Sequence, residues 1–385
     1  MNPQARASTH GRLNLDATID DPNTQILVCC GSGGVGKTTT AAALAVRAAD
    51  RGRRVCVLTI DPARRLAQSL GLEQLDNTPR LVPGVGEGEG VLFAMMLDMK
   101  RTFDEIVEQH ADPGRAEQIL ANPFYQTLSS SFAGTQEYMA MEKLGQLHQQ
   151  ALESNTWDLV IVDTPPSRSA LDFLDAPERL GSFLDGRFIR LLVAPARAGG
   201  RAYMKVLGAG FSLVTGALTK ILGAQLLTDL QTLVTGLDSI FGGFRERAEA
   251  TYALLKAPQT AFVVVAAPER DALREASYFV ERLRTDEMPL AGLVLNRVHA
   301  TVAPELSAER AAGAAEDLAE QRDHALTAGL LRLHADTMRR IASEQHLLQR
   351  FTGAHPGVAV AVAPALAGDV HDLPGLRTIG TALAG

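Results

Sequence analysis

Short runs of apolar, mostly β-branched residues alternate along this chain with stretches of helical spacing. The runs fall at 25–30, 54–60, 91–97, 158–162, 261–267, 291–296 and 358–363, and strands alternating with helices in this way predict a parallel sheet wrapped by helices. Leu159-Val160-Ile161-Val162 is apolar at every position rather than at every second one, which predicts strands covered on both faces. The fold class expected is α/β, doubly wound, with a mainly parallel sheet. Two intervals, 99–157 and 171–259, are too long for simple crossovers and are expected to carry inserted helical structure. Residues 308–350 have the composition and spacing of solvated outer helices. Residues 1–22, polar with Arg6, His10, Arg12 and Asp16, are expected to form a loose tail before one domain over 23–385.

Composition narrows the class. The 385 residues are 46% hydrophobic, enough to bury a large core. Against 37 Lys and Arg stand 44 Asp and Glu, a net charge of −7, so nothing draws a polyanion globally and nucleic acid is not expected as a partner. The three cysteines, Cys29, Cys30 and Cys56, cannot build a disulfide framework or a C-x-x-C metal site. They read as small core residues suited to a reducing, cytoplasmic setting. No apolar leader marks the N-terminus.

The chemistry is concentrated after the first strand. Gly31-Ser32-Gly33-Gly34-Val35-Gly36-Lys37-Thr38 opens a helix that runs on through Thr39, giving strand, glycine loop and helix in the order a phosphate-binding loop requires. Glycines let backbone N–H groups converge on phosphate oxygens, and the helix N-terminus favours negative charge. Lys37 is expected to reach the β- and γ-phosphates of ATP and to act in catalysis, and the Thr38 hydroxyl to ligate Mg²⁺. Asp163 ends an apolar strand, where a carboxylate meets the same Mg²⁺. Asp61 also ends a strand and is expected to orient the attacking water. Taken alone, a strand-terminal aspartate is more often a helix cap, and for Asp163 the glycine loop upstream reverses that preference.

At these residues the chain resembles the arsenite-pump and tail-anchored-protein-targeting ATPase family, within the dimeric P-loop class that also holds septum-site, partitioning and nitrogenase iron proteins. The resemblance is carried by the glycine loop, Asp61-Pro62-Ala63, Asp163-Thr164-Pro165-Pro166, Asn296-Arg297-Val298 and Pro364-Ala365-Leu366. It implies that Asp61 and Asp163 open the two switches, that Asn296 and the loop at Pro364 contact adenine, and that a dimer closes on ATP and opens after hydrolysis. Helices inserted after the second switch, here 171–259, would receive that movement.

The chain departs from the family pattern in three places. Ser32 stands where the family has a lysine that crosses to the partner's phosphates, which implies a heterodimer whose second ATPase subunit supplies it, or a homodimer that works without it. Ser167-Arg168-Ser169 replaces Thr-Gly-His in the second switch, with Arg168 a candidate substitute cation. No cysteines are placed for zinc, an iron–sulfur cluster or arsenite. Residues 186–228 hold six cations and no acid, and 206–228 are strongly apolar. They are read as packing within the insertion or as a surface for a hydrophobic client or a membrane. The function expected is Mg-dependent ATP hydrolysis driving a dimer that handles such a client. The alternative is a regulatory ATP-binding subunit with little turnover, followed by an arsenite-pump ATPase or a membrane-cycling positioning ATPase.

Overall fold

The computed structural model describes residues 11–61, 64–86, 88–123, 125–126, 129, 135–165, 243, 246–319 and 322–384. They divide into two compact units, one of residues 1–96, 150–170 and 254–385, the other of 97–149 and 171–253.

The first unit is built on a sheet of eight strands: β1 (Ile26–Cys30), β2 (Arg54–Thr59), β3 (Arg80–Leu81), β4 (Val91–Met96), β5 (Leu159–Asp163), β6 (Thr260–Ala266), β7 (Leu290–Val298) and β8 (Val360–Pro364). Their order is β3-β4-β2-β5-β1-β6-β7-β8, parallel throughout except for β3 against β4. The sheet is thus the doubly wound α/β type expected. Strand order reverses at β1, with β5 on one side and β6 on the other, so the crevice beyond its carboxyl end is where ligands bind in such sheets. Every residue of β1, β5 and β6 is buried, as the uninterrupted apolar runs required.

Helix α1 (Leu15–Asp20) precedes β1, and α2 (Lys37–Asp50) follows it. Alternate residues of the central strands, Leu27 and Cys29, Val55 and Val57, Leu159 and Ile161, Val263 and Val265, share one core with the alanine-rich inner face of α2. Cys30 lies outside that cluster though it is also buried, so the adjacent cysteines face opposite ways, as strand pleating dictates. All three thiols are free and buried.

Residues 11–22 differ from the loose tail expected of them. Arg12 bridges to Val360, the first residue of β8, Asn14 caps α1 by accepting from the Ala17 N–H, and Leu13, Leu15 and Ile19 are buried. Large apolar residues are sparse here, yet all three are buried, and the charges that read as solvated are paired across space, Asp16 with Arg47 and Asp20 with Arg51. Residues 1–10 lie outside the described residues.

After the short α3 (Arg65–Ser69), the second unit holds α4 (Met99–His110), α5 (Pro113–Leu120) and most of α6 (Thr135–Ser154), together with the helical residues 246–253. Within it, Phe103 and Tyr125 meet edge to face at 5.5 Å, Lys143 pairs with Glu105 at 2.9 Å, and Arg247 donates to the buried Glu142 at 2.7 Å. The apolar segment 206–228 lies outside the described residues. No helix among the described residues is long and apolar enough to cross a membrane.

The first unit ends with α7 (Arg270–Thr285), α8 (Ala308–Ala319), α9 (Ala325–Ala354) and α10 (Leu373–Ala382). On α9, Leu326, Leu330 and Leu333 are exposed, consistent with an outer helix. Leu376 and Ile379 of α10 and the following Leu383 are buried in the core that includes α2.

Candidate functional site

The glycine loop occupies the crevice at the carboxyl end of β1. Its backbone could be made by few other sequences. Gly36 caps α2 in the left-handed region, with φ 94°, and a Cβ there would also lie 2.2 Å from the Asn296 amide nitrogen. At Gly31 a Cβ would lie 2.1 Å from the Val265 carbonyl oxygen of β6, so glycine is what lets the loop leave β1 against its neighbour. Gly33 and Gly34 are exposed at the tip, while Ser32 and Val35 are buried. Lys37, Thr38 and Thr39 form the first turn of α2, where backbone N–H groups have no intrahelical acceptors.

Lys37 is only 6% exposed, and its ammonium donates to the Ser32 carbonyl at 2.8 Å. Burial lowers its pKa, opposed mainly by the charge of Asp163. The lysine therefore lies folded over the cradle, held by a carbonyl that a phosphate can replace as its acceptor.

Asp163 at the end of β5 is fully buried. Its Oδ2 accepts from the Thr38 hydroxyl at 2.7 Å and the Thr59 hydroxyl at 2.9 Å, while its Oδ1 has no partner among the described residues. Burial pushes its pKa up to about 6, with the two hydroxyls and Lys37 pulling the other way and Asp61 adding to the rise. A buried carboxylate oxygen without a donor costs on the order of 1–3 kcal/mol or more. Its position beside a threonine hydroxyl makes a hard, oxygen-lined place for a divalent cation. The residues present fit Mg²⁺.

Asp61 follows the end of β2, whose Thr59 pairs with Asp163 in the sheet register. The Asp61 N–H donates to the Thr59 hydroxyl at 3.2 Å, the same hydroxyl that donates to Asp163. Thr59, unnoticed in the sequence, thus joins the two strand-terminal aspartates, Asp61 and Asp163. Its only sequence signal was a hydroxyl two residues ahead of a strand-terminal acid. Thr164 secures the neighbouring edge by donating to the Cys29 carbonyl at 2.9 Å. Pro62, Ala63 and Pro166 through Ser169, including Arg168, lie outside the described residues.

Asn296 comes against the loop itself: its side-chain amide donates to the Val35 carbonyl at 2.8 Å. Arg297 follows with φ 62°, a left-handed conformation that costs a non-glycine residue about 1–3 kcal/mol, and donates to the Gly34 carbonyl at 3.0 Å. Pairing between β7 and β8 slips here, from Leu295 opposite Val362 to Val298 opposite Pro364. One extra residue in β7 makes the slip a bulge, the device that re-aims side chains next to sites. Pro364 ends β8, three strands from β1, roughly 14 Å away at the usual strand spacing. The structure therefore gathers Gly31 through Thr39, Asp61, Asp163 and Asn296, and leaves Pro364 at the far margin.

The profile of the anion-transporting ATPase family matches residues 24–312. The ATPase ARSA2 of Chlamydomonas reinhardtii is 26% identical over 294 residues, 74% of this chain and 70% of that protein. The ATPase GET3 of Malassezia globosa is 31% identical over 166 residues, 43% of this chain and 46% of that protein, so the match spans under half of it. An ATPase ASNA1 homolog of Cryptosporidium parvum is 25% identical over 268 residues, 70% of this chain and 63% of that one.

Proposed function

The chain belongs to the anion-transporting ATPase family and is an ATPase, and from that premise we propose that it hydrolyses ATP with Mg²⁺ to drive the opening and closing of a dimer that handles a hydrophobic or membrane-associated client. The observation that carries the reading is the buried Asp163 carboxylate, with one oxygen on Thr38 and the other without a donor among the described residues.

Thr38 and Asp163 would hold the cation, which when bound offsets phosphate charge and so lowers the barrier to phosphoryl transfer. The loop amides and the first turn of α2 bind the phosphates. Lys37 exchanges the Ser32 carbonyl for phosphate oxygens and stabilises the charge that develops on them. Asp61 orients the attacking water and accepts its proton. Asn296 has one amide hydrogen committed to Val35, so its carbonyl oxygen is the group best left for an adenine amine, with Pro364 closing the base site. The client surface is assigned to 206–228 on composition alone.

Ser32 favours a second reading. It is a buried serine whose carbonyl holds Lys37, so no cation leaves this position for a partner's phosphates. A heterodimer supplies that charge from its other subunit, and this chain alone would then bind ATP with little turnover. Phosphate release by the purified chain, with its oligomeric state measured with and without nucleotide, decides between the two. Lys37-dependent turnover by a homodimer establishes a self-sufficient enzyme. Tight ATP binding without phosphate release establishes the regulatory subunit. No ATP binding would overturn both.

A further inference from the structure

We infer that Asn296 and Arg297 are positioning residues that pre-organise the phosphate loop, and that Glu344 of α9 anchors them in place.

A trans peptide holds its C=O and N–H on opposite sides. The Gly34 carbonyl shares a peptide plane with the Val35 N–H, and the Val35 carbonyl shares one with the Gly36 N–H. Arg297 takes the first carbonyl at 3.0 Å and Asn296 the second at 2.8 Å. Pinning both carbonyls from the β7 side turns both N–H groups away from β7, and neither N–H makes a hydrogen bond of ordinary geometry among the described residues. Two consecutive donors are thus presented to an anion before it arrives, which removes the cost of orienting them on binding. The bulge in β7 and the left-handed backbone of Arg297 are what bring neighbouring residues of a strand, which would otherwise point to opposite faces, onto one loop.

The base of this brace is fixed from outside the segment that the family profile matches, which ends at residue 312. Two residues beyond Arg297, the His299 N–H donates to Glu344 Oε2 at 2.9 Å, and its Nδ1 lies 2.6 Å from Glu344 Oε1. Glu344 is buried, and both its oxygens are spent on one residue of the loop that leaves β7. That arrangement holds the chain direction out of the bulge and, with it, the two donors.

The inference rests on the phosphate-site reading above, and its test separates the two. Dissociation constants of the full-length chain are measured for ADP and for AMP, which shares the base and sugar but lacks the β-phosphate. Arg297→Ala, at an exposed position, is expected to weaken ADP on the order of ten-fold, the scale of one charged hydrogen bond, with AMP changed far less. Arg297→Lys, which keeps a donor, should recover part of the loss. Glu344→Gln should weaken ADP by a smaller factor in the same direction. Equal weakening of ADP and AMP, or none of ADP, overturns the brace while leaving the site intact. A wild-type chain that binds neither nucleotide removes the site reading and the brace with it.

Discussion

The two ends of the central strands handle charge in opposite ways. At the amino ends of β1, β2 and β5, Arg53 donates to the Asp158 carboxylate and to the carbonyls of Ile19, Asp21, Thr24 and Asp158. Arg54 also reaches Asp158, and α1 is tied to α2 through Asp16 with Arg47 and Asp20 with Arg51. Charge there is paired and only partly withdrawn from water. At the carboxyl ends, Lys37 rests on one carbonyl and Asp163 keeps an oxygen without a donor among the described residues. The same sheet supports both ends, so the difference lies in use. Satisfied charge holds elements together, whereas charge buried and left incomplete is held ready for a ligand.

The contrast can be broken or sharpened in order of expected effect. Lys37→Ala should lower ATP turnover roughly 100- to 1000-fold, measured by steady-state phosphate release, with little change in the thermal transition of the nucleotide-free chain. Asp163→Asn should abolish Mg-dependent turnover and at the same time stabilise the nucleotide-free protein. With its pKa raised to about 6, native Asp163 holds, between about pH 4 and 6, a proton that the unfolded chain has already lost. Its contribution to stability is therefore full below about pH 4 and lost as pH rises through about 6, on the order of 3 kcal/mol. Urea unfolding of wild type and variant should converge near pH 4 and diverge, variant more stable, at pH 7.5. A variant less stable at pH 7.5 would reverse the reading of Asp163 as held under strain.

At the other end, Arg53→Ala leaves several carbonyls and Asp158 short of a donor and should cost about 2 kcal/mol in urea unfolding, with Kd for ADP unchanged. Arg51→Ala, removing a half-exposed surface pair, should fall within roughly 0.5 kcal/mol of wild type. A cost for Arg51 as large as that for Arg53 would erase the distinction between a part-buried network and a surface pair.

Local pattern was enough for much of this protein. Seven strands, the glycine loop at the end of the first, and Asp61 and Asp163 at strand ends were legible because a strand covered on both faces must be apolar throughout, and a phosphate loop needs glycine where φ is positive or a backbone passes close. The folded stretch 11–22 was not legible, since its stability comes from Arg47, Arg51 and β8, far away in sequence. The two-residue β3 carried no run to read.

The tertiary structure alone decided which polar groups meet. Thr59 joins Asp61 to Asp163, Asn296 and Arg297 grip successive carbonyls of the loop, and Glu344 reaches back across 45 residues to His299. The reason is physical. An apolar residue needs only to be buried, which periodicity along the chain encodes, whereas a hydrogen bond needs two particular atoms within about 3 Å, and only the packed sheet, with its register and its bulge, sets that distance.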